Sequence, residues 1–405
     1  MGRVIGSLAP HYSDKNRKFN LLMLIIMAEK DIHSSVNGVA SVANTQCTND
    51  QQWTKYHTKQ GGGFAAEDAN ALWDRMHGKS VEKVGIDNSL NGADRISNGV
   101  PIQTKYCADA SKTVASAFEN GSYRYSGMKL EVPSDQYEEA LRLMRSRISK
   151  GEVPGVTDPD MADQIVIKGH YTYDQAVRIA KPGNLDSLWF DIKTQSVACV
   201  FACGLAFAVT YGTAKANGMS HTEALKAASK QAAKSGCVTM AAGVAAQQFL
   251  RTEAGRGCAA AATKVVKPVV QAAMKTEVGK TVINKTASAI AGKQVAGAAA
   301  RNVVTKAVRT NAVVSGVVFA VTTIPDTVKL CQGKISGREF AENTATNAAG
   351  VGGGWAGASA GAAIGTLIFP GIGTTIGGII GGIGGGLGAS WGMKKGVKKL
   401  FSKGR

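Results

Sequence analysis

The sequence is short of four things, and each shortage excludes a class of protein. Seven cysteines in 405 residues are too few for a disulfide scaffold, and an odd number leaves one unpaired. They read as reduced thiols in a cytosolic compartment. Prolines number only 9, and the 49 glycines follow no three-residue repeat, which excludes a collagen-like chain. Aromatic residues are scarce at 6%, yet hydrophobic residues reach 44%, too many for a disordered chain. Acidic residues are the most informative shortage: 29 Asp+Glu stand against 47 Lys+Arg, a formal net charge of +18.

That shortage is confined to one half. Residues 1–195 carry 23 basic and 23 acidic groups, whereas residues 196–405 carry 24 basic and 6 acidic ones. The composition turns rich in Ala, Gly and Val at the same place. A neutral, mixed half reads as a globular domain. A cationic half with apolar helical runs reads as a segment that meets an anionic surface, lipid or nucleic acid.

Near the N-terminus, Phe19 to Ala28 is an apolar run behind Lys15, Arg17 and Lys18. The order is that of a signal peptide, but Glu29, Lys30 and Asp31 follow where a small-residue cleavage site belongs. The run is also too short to span a bilayer. A packed helix, or a translation start at Met23 or Met27, fits better than export.

In the neutral half, Gly61–Gly63 precede a helical pattern, 64–77, whose apolar face is Phe64, Ala65, Leu72 and Met76. Residues 81–86 form a strand candidate. Then Asn98-Gly99 separates two alternating segments, a strong hairpin signal. The hairpin places Asp94 on one strand and Gln103 and Lys105 on the next, and period-two geometry puts Gln103 and Lys105 on one face. An acidic residue and a second oxygen ligand on adjacent strands can hold Mg²⁺, and a lysine beside them can orient water or neutralise developing phosphorane charge.

The run Asp94…Gln103-Thr104-Lys105 resembles the Asp…Glu-x-Lys core of the restriction-endonuclease superfamily, in the variant where Gln replaces Glu. The resemblance implies Asp94 and Gln103 as metal ligands, Lys105 as the charge-stabilising group, and Glu67, on the first helix, as an additional acid. Loss of one carboxylate weakens metal affinity and leaves open a domain that binds nucleic acid without cutting it. Helices over 111–119 and 134–150, the latter capped by Ser134, and a strand over 128–132 complete the expected order. Residues 155–183 read as two short helices capped by Thr or Asp, with His170 as a packing residue and no zinc site.

In the cationic half, 196–212 is an uncharged apolar run of near-spanning length, in which Cys199 and Cys203 read as small interface residues. Residues 235–250 form a weaker apolar helix. Residues 259–309 resemble an amphipathic interfacial helix pair, and 311–324 form a third apolar run, stopped by Pro325-Asp326.

The most specific feature comes last. No residue from Asn343 to Met393 is charged. Gly353, Gly357, Gly361 and Gly365 recur every fourth position, and after Pro370-Gly371 so do Gly373, Gly377, Gly381 and Gly385. Two such arrays about a Pro-Gly turn make a glycine-zipper helical hairpin. In water each Gly would weaken a helix by about 1 kcal/mol relative to Ala. In lipid a glycine groove instead permits close helix contact. Trp355 and Trp391 suit the two interfaces, and the tail Lys394, Lys395, Lys398 and Lys399 suits a cytoplasmic, anionic leaflet.

Segments Gly92–Cys107, Leu130–Met144 and Val153–Asp191 resemble a group of uncharacterised bacterial proteins, often carried on mobile or prophage-derived DNA. That resemblance covers about a third of the chain and implies no mechanism.

The expected architecture is a lead-in (1–60), an α+β, restriction-endonuclease-like domain (61–195), and an all-α membrane-associated region (196–342). A glycine-zipper hairpin (343–393) and a basic tail (394–405) follow. The expected function is a bacterial inner-membrane protein, likewise self-associating, with a cytosolic Mg²⁺-dependent domain acting on DNA or RNA in phage defence or as a toxin-like effector. The alternative is a non-enzymatic membrane protein that self-assembles as a channel, pore or sensor.

Overall fold

The computed structural model describes residues 44, 47, 48, 51–84, 91–291, 294–368, 385, 388, 389, 392 and 393. The run 19–28, the Pro370-Gly371 turn, Gly373, Gly377, Gly381, Trp391 and the basic tail lie outside the described residues. The chain divides into two compact units. A mixed unit holds Ser41–Ala198 and Met240–Val318, and a helical unit holds Met1–Ala40, Cys199–Thr239 and Phe319–Arg405.

The mixed unit begins its regular structure with α1, Gly61–Met76. Gly61 opens it because no side chain fits there: a Cβ would lie 2.0 Å from the Tyr56 carbonyl oxygen. The buried face of α1 is Ala65, Ala66 and Ala69 together with Asp68, Asn70 and Asp74, while Met76, expected in the apolar face, is 54% exposed. The apolar periodicity was overridden because the polar residues of α1 find charged partners in the sheet.

That sheet has five strands in the order β1 (Val81–Lys83), β2 (Arg95–Ser97), β3 (Val100–Thr104), β6 (Lys129–Val132), β7 (Val166–Lys168). The first three are antiparallel; β6 runs parallel to both β3 and β7. Asn98 and Gly99 turn β2 into β3 with φ of 47° and 80°, the left-handed pair that a tight hairpin needs.

Between β3 and β6, α2 is only Ala110–Ala115, capped by Asp109. The helix expected to reach 119 stops early because Asn120-Gly121 turns β4 (Phe118–Glu119) into β5 (Ser122–Tyr123). Helix α3, Tyr137–Ser149, starts later than expected and is not capped by Ser134. Its N-terminal Gln136 is instead tied to α2, accepting from the Thr113 hydroxyl at 2.8 Å and donating to the Cys107 carbonyl. One core lies on this side of the sheet, built on Leu130, Val132, Tyr125, Val114, Met144 and Ile148.

Residues 155–183 hold more than two helices. A 3-10 turn (Pro159–Met161) leads into α4 (Ala162–Ile165), then β7, then α5 (Tyr173–Ile179). Thr172 and Gln175 form a reciprocal capping box on α5. Strand β7 was missed because three residues show no usable alternation; parallel pairing with β6 makes it a strand.

Long helices follow: α6 (Leu185–Ala216), α7 (His221–Leu250), α8 (Glu253–Ala273), α9 (Glu277–Ala291), α10 (Gly297–Cys331) and α11 (Gly337–Ile368). Helix α6 runs through Ser196 without a break. Helix α10 also runs through Pro325, which was expected to stop it. A proline removes one N–H and crowds the preceding turn, which kinks a helix without necessarily ending it.

Candidate functional site

The β2–β3 hairpin positions the sequence-derived residues. Asp94 continues β2 by one residue, its N–H donating to the Ile102 carbonyl, and Lys105 continues β3, its N–H donating to the Glu131 carbonyl. Gln103 and Lys105 therefore share one face of the sheet. The Gln103 amide donates to Asp94 Oδ2 at 2.7 Å, and the Thr104 N–H donates to the same oxygen at 2.8 Å. The Lys105 ammonium lies 5.4 Å from the centre of the buried Tyr125 ring.

Glu67 on α1 is held by the Gln52 side-chain amide at 2.5 Å and lies within electrostatic reach of Asp94 and Lys105. Burial first, and then the charge of Asp94, push the Glu67 carboxyl up to about 8, against the lowering effects of Gln52 and Lys105. Burial also raises Asp94, opposed by the Thr104 N–H, Lys105, Gln103 and Arg95. Two acids raised by burial, one of them also by the other's charge, with the charge of Lys105 lowering both, make a site with a surplus of oxygen ligands and a nearby cation. Among the described residues no cluster of three His, Cys, Asp or Glu side chains is placed to hold a metal, so any cation here would rest on Glu67, Asp94 and the Gln103 carboxamide.

The opposite face of the same strands carries a network that the motif reading missed. Arg95 is 2% exposed and donates to Glu131 at 2.6 and 2.8 Å, to Asp74 at 3.1 and 3.2 Å, and to the Thr104 hydroxyl. Asp74 also accepts from Lys79 at 2.8 Å and faces His170 Nε2 at 3.6 Å. Burial acts to raise Asp74, but the bonds from His170 and Lys79 and the charges of Arg95 and Lys79 outweigh it and hold its carboxyl well below the usual range. His170 is a packing residue, stacked 3.4 Å from Trp73, which stacks on His77 in turn. The available signal was the alternation itself: if Asp94, Gln103 and Lys105 share one face, Arg95 and Thr104 share the other.

Residues of the helical unit meet at very short range. A Cβ on Gly353 would lie 2.3 Å from Ala389 Cβ and 2.5 Å from the Gly385 carbonyl oxygen. One on Gly385 would lie 2.3 Å from the Gly353 carbonyl oxygen and 2.8 Å from Gly357 Cα. Only glycine permits that approach. Gly361 and Gly365 lie in the same helix, α11. Elsewhere in this unit a Cβ on Gly236 would meet Cys203 Sγ at 2.2 Å, and the Cys199 thiol donates to the Gly236 carbonyl, so both cysteines serve as small contact residues.

Helices α6 and α10 are long and apolar enough to cross a membrane, and only 22% of the apolar window of each is buried within the protein.

A family model described as the YeeR C-terminal domain matches residues 44–149. All four residues of the carboxylate site fall inside it. A second model, described as the C13G5.2-like, glycine zipper domain, matches residues 334–392. The Inner membrane protein YeeR of Escherichia coli (strain K12) is 49% identical over 100 residues, 23% of this chain and 20% of that protein. The chain thus covers about a fifth of that relative's length. No solved structure matches. With α6 and α10, these matches support a membrane protein that carries a glycine-zipper segment.

Proposed function

We propose that the protein is a bacterial inner-membrane phosphodiesterase whose mixed unit, on the cytoplasmic side, cleaves DNA or RNA with Mg²⁺, in phage defence or as a toxin-like effector. The observation that carries this reading is the Gln103–Asp94 hydrogen bond on the hairpin, with Glu67 of α1 and Lys105 within electrostatic reach of Asp94. The named inner-membrane relative supports the location.

The residues fit a hard divalent cation. Mg²⁺ takes oxygen ligands, commonly one or two carboxylates, with waters and substrate phosphate completing the shell. Glu67 and Asp94 would supply the carboxylates, and a half-turn of the Gln103 amide would offer its oxygen in place of the N–H now given to Asp94. When bound, the cation would supply Lewis-acid polarisation of the phosphate and activation of water. Lys105, whose charge acts on both acids, would neutralise charge developing on a phosphoryl group.

The test uses the full chain in detergent or nanodiscs, because the mixed unit draws on 240–318 as well as 41–198. Mg²⁺-dependent cleavage of duplex DNA, single-stranded DNA and RNA is compared with Lys105→Ala. A loss of about 100-fold or more is expected for a group acting in the transition state. Absence of cleavage by folded wild-type protein on all three substrates overturns the reading. It would favour the second one, a non-enzymatic membrane protein that self-assembles.

A further inference from the structure

The C-terminal end of α1 carries a stack of three rings that the carboxylate site does not use. Trp73 lies between two imidazoles: His170, its centroid 3.4 Å away and its plane tilted by 16°, and His77, 3.6 Å away and tilted by 17°. Two rings at those distances cannot share one face of an indole, so they cover its opposite faces. His170 is the inner ring, its side chain 25% exposed, with its backbone N–H donated to Asn70 and its Nε2 facing Asp74. His77 is the outer ring and is exposed.

An exposed side chain ordinarily samples several rotamers, and a ligand that uses it must freeze them. His77 is already held at two points: its Nδ1 lies 2.8 Å from the Trp73 carbonyl oxygen, and its ring rests on the indole. A carbonyl only accepts, so Nδ1 carries the hydrogen, and Nε2 remains as the second hydrogen-bonding atom of the ring. With one face against Trp73, the exposure of His77 lies on its other face and its edge. The chain turns away at Gly78, where even an added Cβ would meet nothing within 4 Å.

Lys79 places a cation beside the stack. Its ammonium is 5.6 Å from the centre of the Trp73 ring, and its side chain is 40% exposed. One of its three N–H groups goes to Asp74 at 2.8 Å, which leaves two for another oxygen. Asp74 is buried and also bonded to Arg95, so its charge is matched inside the protein.

A fixed ring with one open face, an edge nitrogen and an ammonium nearby answers the three parts of a nucleotide: base face, base edge and phosphate. Bases within a duplex are stacked on both faces already, so only an unpaired strand can offer one.

We propose that His77, backed by Trp73 and His170, stacks a nucleobase of single-stranded DNA or RNA, with Lys79 at the phosphate of that strand. The ligand class rests on the phosphodiesterase reading above and narrows its substrate to an unpaired strand. Along α1 the stack stands about 15 Å beyond Glu67, at 1.5 Å per residue.

The full-length protein in detergent is tested in EDTA, so that binding is read apart from cation-dependent cleavage. Fluorescein-labelled single-stranded DNA, the matching duplex and an abasic strand of equal length are compared by anisotropy. The single strand is expected to bind about fivefold to a hundredfold tighter than the abasic strand, the range for stacking one base. His77→Ala should abolish most of that preference with the abasic affinity and the melting temperature unchanged. His77→Tyr, which keeps a flat ring, should retain the preference. Lys79→Gln should weaken single and abasic strands alike and flatten the salt dependence. Equal binding of single and abasic strands by the wild type overturns the proposal, as does an undiminished preference in His77→Ala or tighter binding of the duplex. A loss in His77→Tyr equal to that in His77→Ala overturns stacking as the contact. Cleavage in Mg²⁺ with single-strand affinity untouched by His77→Ala leaves the phosphodiesterase reading standing and refutes the stack. A preference lost in His77→Ala, from a protein that cleaves nothing, does the reverse.

Discussion

The mixed unit and the helical unit solve the burial problem by opposite means. In the mixed unit, charged groups go inside and are matched: Arg95 with Asp74 and Glu131, and Arg251 with Asp191 at 2.6 and 2.7 Å. In the helical unit, side chains are removed: Gly353, Gly357 and Gly385 let backbones touch where a methyl group would overlap. A matched charge network tolerates little chemical change, because removing one partner strands another charge away from water. A glycine contact tolerates little added volume, because its neighbours are backbone atoms that cannot rotate aside. One unit is therefore fragile to deletion and the other to addition.

The sharpest way to break that comparison is Arg95→Met. It leaves Asp74 and Glu131 buried without their shared cation, and a loss of about 3–5 kcal/mol is expected in denaturant unfolding. Adding Glu131→Gln should recover part of that loss, since one stranded charge goes too. If Arg95→Met is neutral, the network is not what holds the sheet against α1.

Gly353→Leu is the mirror experiment. Overlap with Ala389 and Gly385 should separate the segments and destabilise the helical unit by about 1–3 kcal/mol or more, read as a lower melting temperature in detergent. The same substitution at Gly352, where a Cβ meets nothing within 4 Å, should have little effect.

The carboxylate site sharpens the comparison by pH. Glu67 titrates at about 8, far above an ordinary carboxyl, so a proton competes with any cation there below that pH. Mg²⁺ affinity, measured by calorimetry, should rise up to about tenfold per pH unit from 6 to 8 and then level off. Because the folded state prefers the protonated acid, its stabilising effect is full below the ordinary carboxyl range and is lost as pH rises through 8. Glu67→Gln should remove that loss, so the variant gains on wild type at pH 9. An identical pH profile in the variant would exclude Glu67 as the titrating group.

The smallest effect belongs to the turn. Asn98→Ala places alanine at a φ of 47° and deletes the side-chain bond to the Ser80 N–H, for about 1–2 kcal/mol in unfolding experiments.

Much of the hairpin was legible beforehand because Asn-Gly fixes its turn and alternation fixes which residues share a face. Asp94 and Gln103 follow from those two local rules. The second Asn-Gly, at 120–121, carried the same signal and would have shortened the helix ahead of it. Met76 and Pro325 misled for a different reason. Periodicity and helix-breaking are averages over contexts, and here polar partners in the sheet and the surrounding helix overrode them. Strand β7 depends on its neighbour β6, so no local rule could find it. Glu67 was reached through a family resemblance, not through spacing.

The sequence by itself determined the division of charge at Ser196, the hairpin, the apolar helices and the four-residue glycine spacing, all of which are written in neighbours along the chain. Only the tertiary structure decided that Asp74 and Glu131, 21 and 36 residues from Arg95, would share its guanidinium. It alone brought Glu67 within electrostatic reach of Asp94 and left the Trp53 indole N–H and Arg309 Nε without acceptors. The reason is physical. Local pattern fixes the direction in which a side chain leaves the backbone, but its charge and hydrogen bonds are settled by whatever distant segment arrives there.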